Sequence, residues 1–184
     1  MEPNGKEWLA DLFEGKSQLL VYHFTFGPEW QEGCKNCSFW ADNYNGVSIH
    51  LAHRDVSLVA ISRGPLDKLQ AYRERMGWDF KWVSSAGNDF NFDYHVSFTP
   101  EQMEKGEVYY NYRQSKFPSE EAPGLSVFYK DENGDIFHTY SCYARGLDMM
   151  NGTYHYLDLI PKGRDKSQLT YPMEWIHRHD QYQD

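Results

Sequence analysis

Apolar and polar positions follow two different periods along this chain. Leu19 to Phe26 is a nearly continuous apolar and aromatic run, interrupted by His23 and closed by Gly27-Pro28. Apolar on both faces, it predicts a central strand. A loop follows from Glu29 to Asn36. From Cys37, apolar residues recur at Trp40, Tyr44, Val47 and Leu51, tracing one face of a helix in which Gly46 is a weak point. A second strand is expected within Asp55 to Ser62, and Gly64-Pro65 then opens a helix on Leu66, Leu69, Tyr72 and Met76 that Gly77 closes. Trp78 to Ser85 reads as a third strand. Strand, helix, strand, helix, strand implies parallel pairing with right-handed crossovers.

Residues 86–122 break the alternation with a polar, acidic, Tyr-rich stretch, read as an insertion that holds one short helix near Pro100 to Lys105. A connection of that length is uncommon without structure or a role of its own. Alternation returns at Leu125 to Tyr129 and Ile136 to Tyr140. Asn133-Gly134 between these runs predicts a hairpin turn whose two central residues favour φ > 0. The tail from Gly146 to Asp184 has aromatic anchors without a clean period, and a helix is expected only around Tyr171 to His179. The expectation is one α/β domain over residues 1–184. It has a mixed central sheet with a C-terminal antiparallel hairpin, helices on both faces, an insertion at about 86–122 and a C-terminal extension at about 146–184.

Composition narrows the function classes. Eighteen Lys and Arg against 27 Asp and Glu leave a net charge of −9, which opposes a phosphate-binding surface, so nucleic acid is not an expected partner. Aromatic residues make up 17% of the chain and supply large buried areas where aliphatics are sparse. No run approaches the ~20 apolar residues of a membrane span. Met1 to Glu7 has neither the basic start nor the apolar stretch of a signal peptide. A cytoplasmic, reducing location with no membrane partner is expected, where the sequons Asn36-Cys-Ser38 and Asn151-Gly-Thr153 carry no meaning.

Only three cysteines occur, Cys34, Cys37 and Cys142, too few for a disulfide framework. Two of them form Gly33-Cys34-Lys35-Asn36-Cys37 at a strand-to-helix junction, which reads as a dithiol redox motif. Two cysteines at i and i+3 inside a regular helix have Cβ atoms ~5–6 Å apart, too far for a disulfide, so Cys34 is expected at or just before the helix start. There the helix dipole and the unpaired N–H groups favour a thiolate, and Lys35 adds a nearby cation. Cys37, one turn in, is the expected resolving thiol. Trp30 and Lys35, flanking Cys34, are candidate substrate contacts.

Other readings compete. Cys34 and Cys37 with His138 and Cys142 would make a Cys3His zinc set, although His138 and Cys142 fall on or beside a predicted strand. Cys142 alone reads as a small buried hydrophobe. Peroxiredoxins place Thr or Ser three residues before their reactive cysteine, where this chain has Gln31. His177-Arg178-His179-Asp180 reads as a solvated end, and Asp42 as a surface carboxylate. Arg145, beside Gly146, is a candidate cation near the thiolate, a reading that no spacing supports. The rings of the insertion, among them Phe90, Phe92, Tyr94, Tyr109, Tyr110 and Tyr112, are either core or the wall of a cleft over Cys34. No cofactor is expected.

The stretches Leu12-Phe-Glu-Gly15, Tyr22-His-Phe-Thr-Phe-Gly-Pro28, Gly33-Cys-Lys-Asn-Cys-Ser-Phe-Trp-Ala-Asp42, Val59-Ala-Ile-Ser-Arg63, Gly77-Trp-Asp-Phe-Lys-Trp-Val-Ser-Ser85, Asp89-Phe-Asn-Phe-Asp93, Val127-Phe-Tyr-Lys130 and Tyr154-His-Tyr-Leu-Asp158 resemble a bacterial thioredoxin-like family of unknown function, described as predicted dithiol–disulfide oxidoreductases. The resemblance covers nearly the whole chain. It implies the fold, a protein or small-molecule disulfide substrate, and an unidentified reductant. It also implies a cis-proline facing the reactive cysteine, for which Pro123 is the matching position. Lys35-Asn36 replaces thioredoxin's Gly-Pro between the cysteines, and no Trp immediately precedes Cys34.

Overall fold

Five strands build the central sheet of the computed structural model, which describes residues 5–183; Met1 to Asn4, on which the reading of the N-terminus partly rests, and Asp184 lie outside it. Strand β1 (Gln18–His23) is central, as its two apolar faces require. It pairs parallel with β2 (Val56–Ser62) and antiparallel with β6 (Gly124–Lys130). β3 (Lys81–Ser84) lies parallel outside β2, and β7 (Ile136–Tyr143) antiparallel outside β6, giving the order β3-β2-β1-β6-β7. This is the expected mixed sheet with its terminal hairpin.

Alternation along β1 sends Tyr22 to one face and Leu19 and Val21 to the other. Tyr22 joins Phe24, Phe39, Trp40, Tyr72, Trp78 and Trp82 in a ring-rich core under α1 (Lys35–Ala41) and α3 (Leu66–Arg75). Leu19 and Val21 pack with Phe128, Val59 and Ile61 beneath a 3-10 turn at Asp11–Phe13 and the one-turn helix α4 (Phe90–Asp93). Both faces are covered, one by full helices and one by short elements. Among the described residues no helix is long and apolar enough to cross a membrane.

The helix expected from Cys37 to Leu51 is two helices, α1 and α2 (Val47–Ala52). Asn43 Nδ2 donates to the carbonyls of Phe39 and Trp40 at 2.8 and 3.2 Å, and Gly46 turns the chain at φ 78°. A side-chain amide that bonds the last carbonyls competes with the next helical turn, and a left-handed residue ends it.

The insertion has more structure than expected. The helix at Pro100–Lys105 (α5) is present, held by a capping box in which Thr99 and Gln102 exchange hydrogen bonds. After it, β4 (Val108–Tyr110) and β5 (Arg113–Ser115) form a hairpin with Asn111 and Tyr112 at φ 53° and 61°. The left-handed pair expected at Asn133-Gly134 is therefore found here. In the β6–β7 loop only Gly134 has positive φ, and Asp131 organises the turn by accepting from the N–H groups of Asn133 and Asp135. Val96, Phe98, Val108, Tyr110, Ala122 and Tyr143 give the insertion a small core of its own.

The tail also departs from expectation. It forms a 3-10 stretch at Ala144–Met150 and a helix α6 (Gly152–Leu159), and no helix spans 171–179. There the backbone makes i to i−3 turns, with Pro172 inside the segment, and Ile176 is fully buried in the ring-rich core.

Candidate active site

Cys34 sits where the chain leaves the loop after β1. Its N–H donates to the Thr25 carbonyl at 3.1 Å, it is the residue just before α1, and its carbonyl accepts from the Ser38 N–H at 3.0 Å. Gly33 is required beside it. A Cβ at that position would lie 2.7–2.8 Å from the rings of Phe24 and Tyr72, against which the loop is pressed.

The two sulfurs are perturbed in opposite directions. Cys34 is half-buried, and its pKa falls from 9.0 to about 7. The main cause is a hydrogen bond from the Cys37 thiol; the N–H groups of Cys37 and Asn36 at the helix start and the charge of Arg178 assist, against an opposing push from burial. Cys37 is fully enclosed, and burial raises its pKa well above the ordinary value. In the neutral pair its S–H donates to Thr25 Oγ1 at 3.0 Å. One proton cannot serve two acceptors, so it turns to Cys34 when that sulfur is ionised, and the Thr25 hydroxyl then stabilises the Cys37 sulfur from the other side.

A chain of hydrogen bonds of fixed direction runs from the tail to Cys34. Arg178 Nε donates to Tyr72 Oη at 2.8 Å, and Ser38 Oγ donates to the Cys34 carbonyl at 3.0 Å. With the Ser38 proton committed, Tyr72 donates across the 2.9 Å between the two hydroxyls. Arg178 also donates through Nη2 to the Gly33 carbonyl at 2.7 Å and pairs with Glu32 at 3.0 Å. Arg178, expected on a solvated end, is instead the cation that acts on the Cys34 sulfur. Lys35, expected in that role, turns away and its Nζ donates to the Glu174 carbonyl at 3.3 Å.

Above the pair lies a cavity of about 440 Å³, walled mainly by Tyr22, Trp30, Trp40, Phe117, Leu147 and Met173, with both cysteines and Pro123 on its surface. Trp30 and Pro123 thus meet Cys34 across one cavity, and Lys35 is not on its wall. The Ala122–Pro123 bond is trans, as are all described peptide bonds, which corrects the cis-proline expected at this position. Pro123 reaches the cavity because the segment is pinned from outside, Tyr110 Oη donating to its carbonyl at 2.7 Å. Two charged groups also contribute. Arg145 is engaged with Asp148 and lies over the rings of Trp40 and Tyr154. Glu121 is 2% exposed and holds Arg63 at 2.8 Å and Ser97 at 2.6 Å. Burial outweighs those partners and raises its pKa from 4.5 to about 7.

The Cys3His set is not assembled. A bulge in β7 pairs Val127 with Tyr140 but Phe128 with His138, leaving Thr139 as the extra residue. That extra residue reverses the faces. Cys142 packs in the core beneath α1, whereas His138 packs against the rings of Phe128 (tilted) and Tyr94 (edge-on) on the opposite side and bonds Ser141 at 2.7 Å. Among the described residues no group of three or more His, Cys, Asp or Glu is placed to hold a metal ion. Cys142 is buried, with its pKa raised by that burial. Asp42, read as a surface carboxylate, accepts from Trp78 Nε1 at 2.8 Å and contacts His179 Nδ1 at 2.7 Å.

The family model of DUF899, a bacterial protein of unknown function, matches residues 1–182. The chain belongs to this family. No curated protein matches it. Solved structures similar to this DUF899 chain include a cysteine-to-serine mutant of Xylella fastidiosa PrxQ, at 8% identity and TM-score 0.50 over 84% of this chain and 86% of that one. The Xanthomonas campestris bacterioferritin comigratory protein, described for its alkyl peroxide reduction activity, is 9% identical at TM-score 0.46 over 77% and 79%. Mycobacterium tuberculosis peroxidoxin BcpB is 13% identical at TM-score 0.44 over 79% and 82%. The PrxQ likeness establishes a thioredoxin-like fold for this DUF899 member.

The residues that sequence reasoning missed are Thr25, Glu121, Arg178 and the tail wall at Leu147 and Met173. Only Thr25 carried a signal, a hydroxyl inside an apolar run close before the motif.

Proposed function

We propose that this protein is a thiol–disulfide oxidoreductase in which Cys34 attacks and Cys37 resolves. The observation that carries the reading is the arrangement of the pair: a half-buried sulfur at a helix start, open to a cavity, with an enclosed thiol one turn away inside hydrogen-bonding reach. The Cys34 thiolate attacks one sulfur of a disulfide, forms a mixed disulfide and expels a thiolate. Cys37 then loses its proton and displaces the second thiolate, closing the Cys34–Cys37 disulfide. The substrate gains the two electrons that the pair gives up, and a dithiol of the reducing cytoplasm returns the pair to its starting state. Trp30 and Pro123 flank the attacked sulfur. Lys35, held by the Glu174 carbonyl outside the cavity wall, would meet only the part of a substrate that extends beyond the cavity.

Peroxide reduction would begin with the same thiolate. Gln31, where peroxiredoxins carry Thr or Ser, is exposed and donates to the Glu29 carbonyl, so it offers no hydroxyl to a peroxide. Equilibration of the protein in graded mixtures of reduced and oxidised dithiothreitol tests the exchange reading. A reversible two-electron transition confined to Cys34 and Cys37 is expected. Failure of the pair to oxidise would leave a thioredoxin-like binding module with incidental thiols.

A further inference from the structure

A pair of this kind can serve protein disulfides or small molecules, and the insertion bears on that choice. A protein substrate in an extended conformation docks most readily by adding to a free strand edge, where backbone N–H and C=O groups await partners. The segment beside Cys34 that would offer such an edge is Glu120 to Pro123, and the stretch Val96 to Phe98, earlier in the insertion, has covered it. Phe98 N–H donates to the Glu120 carbonyl at 2.9 Å, and Ala122 N–H to the Val96 carbonyl at 2.8 Å. The Pro123 carbonyl is capped by Tyr110, and Glu121 N–H turns back to Ser119 Oγ. Glu121 and Ala122 are each only 2% exposed.

What remains open is the cavity. Its volume of about 440 Å³ falls within the ~300–1,000 Å³ of small-molecule sites. Its walls are mainly rings and aliphatic side chains, with Thr25, Asn36 and Ser119 as uncharged polar members, the buried Asn36 Oδ1 having no hydrogen-bond partner among the described residues, and both of its charged groups already have partners, Glu121 with Arg63 and Arg145 with Asp148. A charge brought in by a ligand would therefore lose hydration and compete with those existing partners. Phe117 and Ser119 come from the insertion, Leu147 and Met173 from the tail, so the two departures from a minimal fold build the wall together.

We propose that the site acts on low-molecular-weight, uncharged, largely apolar disulfides, and that residues 86–122 exclude extended peptides from Cys34. The proposal rests on the exchange reading above. The disulfide R–S–S–R is cleaved in two displacements: Cys34 takes one RS group and releases RS⁻, then Cys37 releases the second as the protein disulfide closes. Each thiolate takes its proton from Cys37 or from water, so the substrate ends as two thiols and the pair as one disulfide.

The test uses the pre-reduced full chain in single-turnover stopped flow with 4,4′-dithiodipyridine, the dianionic dithiobis(nitrobenzoate), and insulin. Each rate is divided by that of N-acetylcysteine thiolate with the same disulfide, which removes intrinsic reactivity. The expected result is an acceleration for dithiodipyridine at least about tenfold above those for the other two, the worth of burying one ring's apolar surface. Ser119→Trp and Met173→Trp, which fill the cavity from the insertion and from the tail, are expected to abolish that advantage while iodoacetamide still alkylates Cys34. Equal or greater acceleration for insulin overturns the proposal, as does an advantage that survives both fillings. If Cys34 is alkylated but no disulfide oxidises the pair, the exchange reading itself fails, and this proposal with it.

Discussion

Cys34 owes its acidity mainly to donors within one turn, the Cys37 thiol and the N–H groups of Asn36 and Cys37, to which the far end of the chain adds the charge of Arg178. Alkylation of Cys34 is expected to rise with pH around a midpoint of about 7, because only the thiolate reacts. Arg178→Ala should move that midpoint up and slow alkylation at pH 7 by about two- to fivefold, with Arg178→Lys restoring part of the loss; an unmoved midpoint would remove Arg178 from the site. Gly33→Ala forces a Cβ into the rings of Phe24 and Tyr72 and should cost about 1–3 kcal/mol in urea unfolding. Glu121 gives a pH signature. Its folded pKa of about 7 lies above its ordinary 4.5, so its contribution to stability is full below the lower value and is lost as pH rises through the upper one. Relative to Glu121→Gln, the wild type should therefore lose stability between about pH 5 and about pH 8; a flat difference would contradict the assignment. Of these residues only the cysteines, and Gly33 as part of their motif, were legible in the sequence. Arg178 is separated from Cys34 by most of the chain, and a cation's partner across such a distance leaves no local pattern.

Elements were legible where one local signal dominated. β1 and the β6–β7 hairpin follow from apolar patterning, and α5 from a proline at its first turn. Boundaries failed where side chains act on backbone. Asn43 splits the expected helix in two, and Asp131 removes the need for a left-handed pair at Asn133-Gly134. The bulge at Thr139 is the most consequential of these, because one extra residue separates His138 from Cys142 and dissolves a ligand set that spacing alone permits. The β4–β5 hairpin went unread because Asn111-Tyr112 is a poor turn signal, Tyr rarely taking φ of 61°. Its Tyr110 hydroxyl nonetheless joins three elements, donating to Pro123 and accepting from Ala144 N–H at 3.0 Å. Tyr110→Phe should lower stability by about 1–3 kcal/mol, because it leaves both groups without their partner; a neutral effect would show that the insertion is not fastened there.

At the scale of the whole molecule, the chain adds an insertion and a tail to a thioredoxin-like sheet, and both converge on the two sulfurs. The acidic composition and the wealth of rings take on meaning in that light: the rings fill one core beneath α1 and α3 and continue into the cavity wall, and the cation that favours the Cys34 thiolate is an arginine delivered by the tail. The central claim is the division of labour between Cys34 and Cys37, and mass spectrometry of the reduced chain after brief exposure to a small disulfide tests it most directly. The account predicts that the wild type ends as a Cys34–Cys37 disulfide with no adduct, and that Cys37→Ser ends as a stable mixed disulfide on Cys34. A wild type that keeps its adduct, or a Cys37→Ser variant modified at Cys142 or nowhere, would contradict it.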